Sequence, residues 1–172
     1  MNNKHLAMRR TLLLTILMLA AVAAKAQQAL DFAQKFMTEC QGDSLVKCIT
    51  VSPRMLEQIA DSHQEGDERA EAVKQAIGKL KSMRIVSADD SYYDRAEALL
   101  KRHARRFKAV HDFKSEDAHG IFYTRKNRQG ETVELIMVRE DTVREKMTIV
   151  CVTGDIDEEF LCFLYNNKTF KN

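Results

Sequence analysis

Two histidines, His111 and His119, flank the segment "DFKSEDA" at 112–118. Imidazole nitrogens joined by a carboxylate make a zinc-type ligand set. If the segment is a hairpin turn centred near Ser115, the two rings stand opposite each other, with Cβ atoms about 4.5–5.5 Å apart. Asp112, Glu116 or Asp117 then supplies an oxygen, and the chemistry is metal-dependent hydrolysis. Register decides the matter. One residue of slip sends the rings to opposite faces of the sheet and leaves two surface histidines beside a turn.

A second cluster is "TIVCVTGDIDEEFLCFL", residues 148–164, in which four acids lie between Cys151 and Cys162. A strand ending near Thr153 and a helix starting near Asp157 give those acids a structural job. Asp155 or Asp157 caps the first turn, and Glu158 and Glu159 complement the helix dipole. The longer alternation of oxygen ligands that a calcium loop needs is absent. Cys151 lies about 10 Å before the strand's end, and Cys162 about 7.5 Å into the helix. A helix folded back over the sheet brings the two to similar depth, which makes a Cys151–Cys162 disulfide a candidate. The helical wheel places Cys162 on the flank instead of the apolar side. Cys40 falls on the apolar stripe of an earlier helix and reads as a buried thiol, poorly placed for Cys48. No Cys-x-x-Cys pair occurs, so thioredoxin-like redox chemistry lacks its signature.

The third cluster is basic. "KRHARRFK" at 101–108 places Lys101, Arg102, Arg105 and Arg106 at the end of a helix, and Arg125, Lys126 and Arg128 follow in a hairpin. Such residues complement the negative helix pole, or they form a patch for an anionic lipid or glycan. No aromatic platform alternates with them, so nucleic acid is not an expected partner. There is no Gly-x-Ser-x-Gly elbow and no glycine-rich phosphate loop, and no cofactor is expected.

The N-terminus bears on where this chemistry operates. Lys4, Arg9 and Arg10 precede the apolar run from Leu12 to Ala24, and "AKA" follows with small residues at Ala24 and Ala26. This is the pattern of a cleaved signal peptide spanning residues 1–26. The run is shorter than the ~18–20 residues of a spanning helix. The expected mature domain, 27–172, is therefore exported to the periplasm or secreted, with no further transmembrane segment. The leader holds four Lys/Arg and no acids, so the formal charge of +2 for the whole chain becomes −2 without it. The basic character belongs to the leader, which again argues against nucleic acid.

The elements that position these clusters follow from periodicity. Leu30, Ala33, Phe36, Met37 and Cys40 mark a helix stopped by Gly42. "LVKCITV" is a strand, and Ser52-Pro53 opens a helix carrying Met55, Leu56 and Ile59. Gly66-Asp67 starts another through Ala70, Val73, Ile77 and Leu80. "RIVSA" is a strand, and "DDS" at 89–91 caps a helix through Leu100. Then "FKAVHDF", "GIFYTRK", "TVELIMVR" and "MTIVCVT" form a four-strand antiparallel meander with polar turns, "NRQG" among them. "DEEFLCFLYN" is a final helix. The class is α+β, a mostly antiparallel sheet with helices packed on one face.

In order, "GDSLVKCITVSPRML" (42–56), "LKSMRIV" (80–86), "VELIMV" (133–138) and "TIVCVTGDI" (148–156) resemble a family of exported Bacteroidetes proteins, the domain of unknown function numbered 4252. The resemblance covers roughly Leu30 to Leu164. It implies an exported α+β domain and supplies no catalytic residues to carry over. The preferred expectation is a non-catalytic binding or envelope-associated protein whose partner is an envelope protein or an anionic glycan or lipid surface. The alternatives are a hydrolase built on His111 and His119 and an anion-binding module built on the basic residues.

Overall fold

The computed structural model describes residues 30–61, 74–158 and 160–161. The expected leader, the segment from Gly66 to Val73 and Cys162 lie outside the described residues. Six strands form one antiparallel sheet: β1 (Lys47–Val51), β2 (Leu80–Asp89), β3 (Lys108–Lys114), β4 (Ala118–Lys126), β5 (Thr132–Asp141) and β6 (Lys146–Gly154). The spatial order is β1-β2-β6-β5-β4-β3, so the last four strands are the expected meander and the class is α+β.

The meander follows from turn chemistry. In "NRQG", the side-chain oxygen of Asn127 accepts from the Gln129 amide (2.9 Å) and the Glu131 amide (3.0 Å). Gly130 completes the turn at φ 89°, which a side chain would strain. Between β5 and β6, Asp141 Oδ1 accepts from the Arg144 amide at 2.9 Å.

Strand periodicity then divides the sheet into two faces. Ile136 and Val138 of β5, Ile149 and Cys151 of β6 and Val86 of β2 point to one side. That side is covered by α1 (Phe32–Glu39) and by α3 (Tyr93–Arg102). Phe32, Ala33 and Phe36 come down from α1, and Tyr93, Ala96, Leu99 and Leu100 from α3. Phe107 closes the layer edge-on to Phe32, ring centroids 5.6 Å apart. The opposite side carries Leu135, Met137, Val152 and Phe122, met by Leu56 of α2 (Pro53–Asp61) and by Ile156 and Phe160.

Two expectations shift. Leu80 opens β2 instead of ending a helix, because pairing with Gly154 extends that strand ahead of "RIVSA". Asp89 occupies the N-cap position before the short 3₁₀ turn Asp90–Tyr92, yet makes no cap hydrogen bond. Its carboxylate pairs with Lys146 across the sheet instead.

Tyr93 is buried under this helical layer, 5.0 Å from the His119 ring. Burial, reinforced by Glu97, pushes its phenol from 10.0 up to about 12. The native state therefore holds this proton more tightly than the unfolded chain does. The stabilisation is fully present below the unfolded value near 10 and is lost as pH rises through about 12. We expect the urea midpoint of the wild type to fall over that window and Tyr93→Phe to flatten the fall. An unchanged slope in the variant would contradict the assignment.

Candidate functional site

Among the described residues Glu134, on the inner strand β5, is a carboxylate at 0% exposure. Its Oε1 accepts from the Phe32 amide at 2.6 Å and from the Cys151 thiol at 3.2 Å. Its Oε2 is paired with Nε of Arg125, which stands opposite it on β4. A second carboxylate works beside it. Asp31 Oδ1 caps α1 through the Gln34 amide at 2.9 Å, and Oδ2 is paired with Arg84. The start of α1 is thus held by two carboxylates, each anchored to an arginine on the sheet.

These groups are arranged for structure. Burial first, and the neighbouring Glu134 charge second, push the Cys151 thiol far up. A thiol held protonated donates a hydrogen bond and makes a poor nucleophile. Arg106 lies close enough to feel both Arg125 and Glu134, and burial is the chief cause that lowers its pKa.

The other face has a different character. Through the pairing register, Ile49, Ile85, Val150, Met137, Phe122 and His111 form one row across all six strands. Next to it, a cavity of about 90 Å³ is walled only by apolar side chains, among them Met83, Leu135, Val152 and Phe160. Gly120 lets β4 sit close here: a Cβ would lie 2.3 Å from the Val138 carbonyl and 2.7 Å from the Phe113 ring.

At the end of the β4–β5 hairpin lies a larger groove of about 500 Å³. Val110, Ile156 and Leu161 give it apolar walls, and Glu131, Asp155, Asp157 and Glu158 line it against Lys126. Of the two expected caps, Asp155 and Asp157, it is Asp157 whose Oδ1 accepts from the Phe160 amide, at 2.8 Å. Its Oδ2 meets Lys79 Nζ at 2.5 Å, the main cause that lowers its pKa, with the Phe160 amide second.

The expected sites fare unevenly. His111 stands opposite Phe122, whereas His119 stands opposite Lys114 and Glu140. The two histidines therefore face opposite sides of the sheet and do not share a ligand position. The reason is local: Ser115 closes the turn on Ala118 (2.8 and 3.1 Å), which sets Lys114 opposite His119 and carries His111 three residues further along, to Phe122. His119 packs on the Tyr93 ring with Nε2 3.4 Å from Glu140. Among the described residues, no group of three or more His, Cys, Asp and Glu is placed to hold a metal.

Cys151 carries a free thiol turned to the helical face, while Phe160 of the final helix packs on the other face. The expected partner of that thiol, Cys162, lies outside the described residues. Of the basic residues, Lys101 pairs with Glu97 (2.5 Å), Arg102 with Glu39 (3.0 Å) and Arg125 with buried Glu134. Arg106 stacks on Phe107 at 5.4 Å, whereas Arg105 and Arg128 are exposed. Glu134 escaped the sequence reading; its signal was a lone acid inside the apolar run "VELIMV".

Removing one member of a buried pair leaves an uncompensated charge, at about 3–5 kcal/mol. Arg125→Met should lower unfolding free energy by about that much at pH 7, and adding Glu134→Leu should restore part of it. Guanidinium titration measures both. A loss within ~0.5 kcal/mol, the range of ordinary surface substitutions, would contradict the lock.

The model of the family described as Domain of unknown function (DUF4252) matches residues 40–161. Among curated proteins, none matches the chain.

Proposed function

The chain belongs to this family, and we propose that it is an exported binding domain that works without catalysis. Its groove receives a short basic segment, carrying apolar side chains, from an envelope protein. The observation that carries this is the groove itself: apolar walls beside Glu131, Asp155 and Glu158, with Lys126 and the Asp157–Lys79 pair at its side. A pocket of about 300–1,000 Å³ with a few placed polar groups is the usual form of a ligand site. The sign of its charge selects a cationic partner and repels an anionic one. Export is supported by the signal-peptide pattern of residues 1–26.

An anionic lipid or glycan surface is the weaker reading, since three of its six candidate residues are committed to carboxylates. A hydrolase built on His111 and His119 loses its geometric basis in the register.

Fluorescence anisotropy with a short Lys/Leu peptide and an acid-substituted control tests the proposal. The basic peptide should bind, more weakly as salt rises. Exposed ion pairs contribute ~0.2–1 kcal/mol each, so Glu131→Gln with Glu158→Gln should weaken binding roughly 2–30-fold. Equal binding of both peptides, or no effect of the double variant, would end the proposal.

A further inference from the structure

The two edges of the sheet are built differently. At one edge, β3 reads "KAVHDFK", with Lys108, His111, Asp112 and Lys114 among seven residues, and it breaks register between Ala109 and His111. Charges and bulges are the devices by which edge strands avoid adding another strand. At the other edge, β1 reads "KCITV", with one charge at Lys47 and an unbroken register against β2. Four of its five residues are exposed. Among the described residues, no strand pairs with its outer side.

The exposed side chains there are apolar. Ile49 is 62% exposed, and Leu45, two residues before the strand, is 58% exposed. Ile49 is also the last member of the row that runs through Ile85, Val150, Met137 and Phe122. It is the open end of an apolar stripe, not a solitary surface residue.

We propose that β1 is a self-association edge: two copies of this chain pair their β1 strands antiparallel about a two-fold axis through Ile49. A second copy fits because the strand is self-complementary in this register. Lys47 then opposes Val51 of the partner subunit, Cys48 opposes Thr50 of the partner subunit, and no like charges meet. The two isoleucines meet on the axis, and the apolar rows of both sheets become continuous. An isologous contact of this kind needs one patch only, which is why two-fold dimers are the commonest assemblies. The groove at the β4–β5 hairpin lies across the sheet from β1, so each copy keeps its own.

Sedimentation velocity of the full chain without its leader, across a concentration series, tests the proposal. A concentration-dependent dimer is expected. Ile49→Lys puts two ammonium groups on the axis and should weaken dimerisation at least about tenfold. Because the side chain is exposed, the melting temperature of the dilute monomer should stay unchanged. Thr50→Cys supplies the register test. It sets a new thiol opposite Cys48 of the partner subunit, at a cross-strand spacing that a disulfide spans. Diamide, a two-electron oxidant, takes two hydrogens from the thiol pair and should convert this variant to a covalent dimer. A chain that stays monomeric at every concentration overturns the proposal. So does a dimer indifferent to Ile49→Lys that also fails to cross-link through Thr50→Cys.

Discussion

A carboxylate with no access to water ties together the helical side of this sheet. Burying an ion costs several kcal/mol, and the cost is offset only when its lone pairs are met from every side. Glu134 is met by Arg125 from β4, by the Cys151 thiol from β6 and by the Phe32 amide from α1. The last contact closes a separation of 102 residues. It satisfies an amide that the first turn of a helix otherwise leaves without a partner. Asp31 and Arg84 repeat the arrangement one residue earlier. Glu134 and Asp31 together thus attach α1 to the sheet.

That constraint falls on one face of the sheet, and strand parity divides the two faces. Cys151 points to the face sealed by α1 and α3, and its neighbours Val150 and Val152 point to the opposite one, where Leu56, Ile156 and Phe160 pack. His119 and His111 are divided in the same way. The helical face is closed by Phe32, Phe36, Leu100 and Phe107, all nearly inaccessible. The proposed recognition surfaces lie on the other face and its rim, where Ile49 and Val110 stand exposed and the carboxylates of the hairpin end gather.

Much of this was legible in the chain. Four β-rich segments separated by short polar turns specify a meander, and "NRQG" names its own turn. The acids after Gly154 announce a capped helix, and Asp157 is that cap. What could not be read was register. The β3–β4 pairing depends on how Ser115 closes its turn and on an irregularity after Ala109, neither of which periodicity reveals. Leu80 obeys helical spacing, yet its pairing with β6 outweighs that preference. Glu134 needed a contact from the far end of the chain before its role made sense, because its donors come from α1, β4 and β6 together.

The most direct test is the reactivity of Cys151. Native protein is treated with an alkylating reagent, and the labelled positions are mapped by mass spectrometry against the same protein in denaturant. If the carboxylate lock holds the helical face shut, Cys151 is labelled after unfolding and stays unmodified in the native state. Native labelling of Cys151 as fast as in denaturant would show that the face opens freely, and would contradict the account.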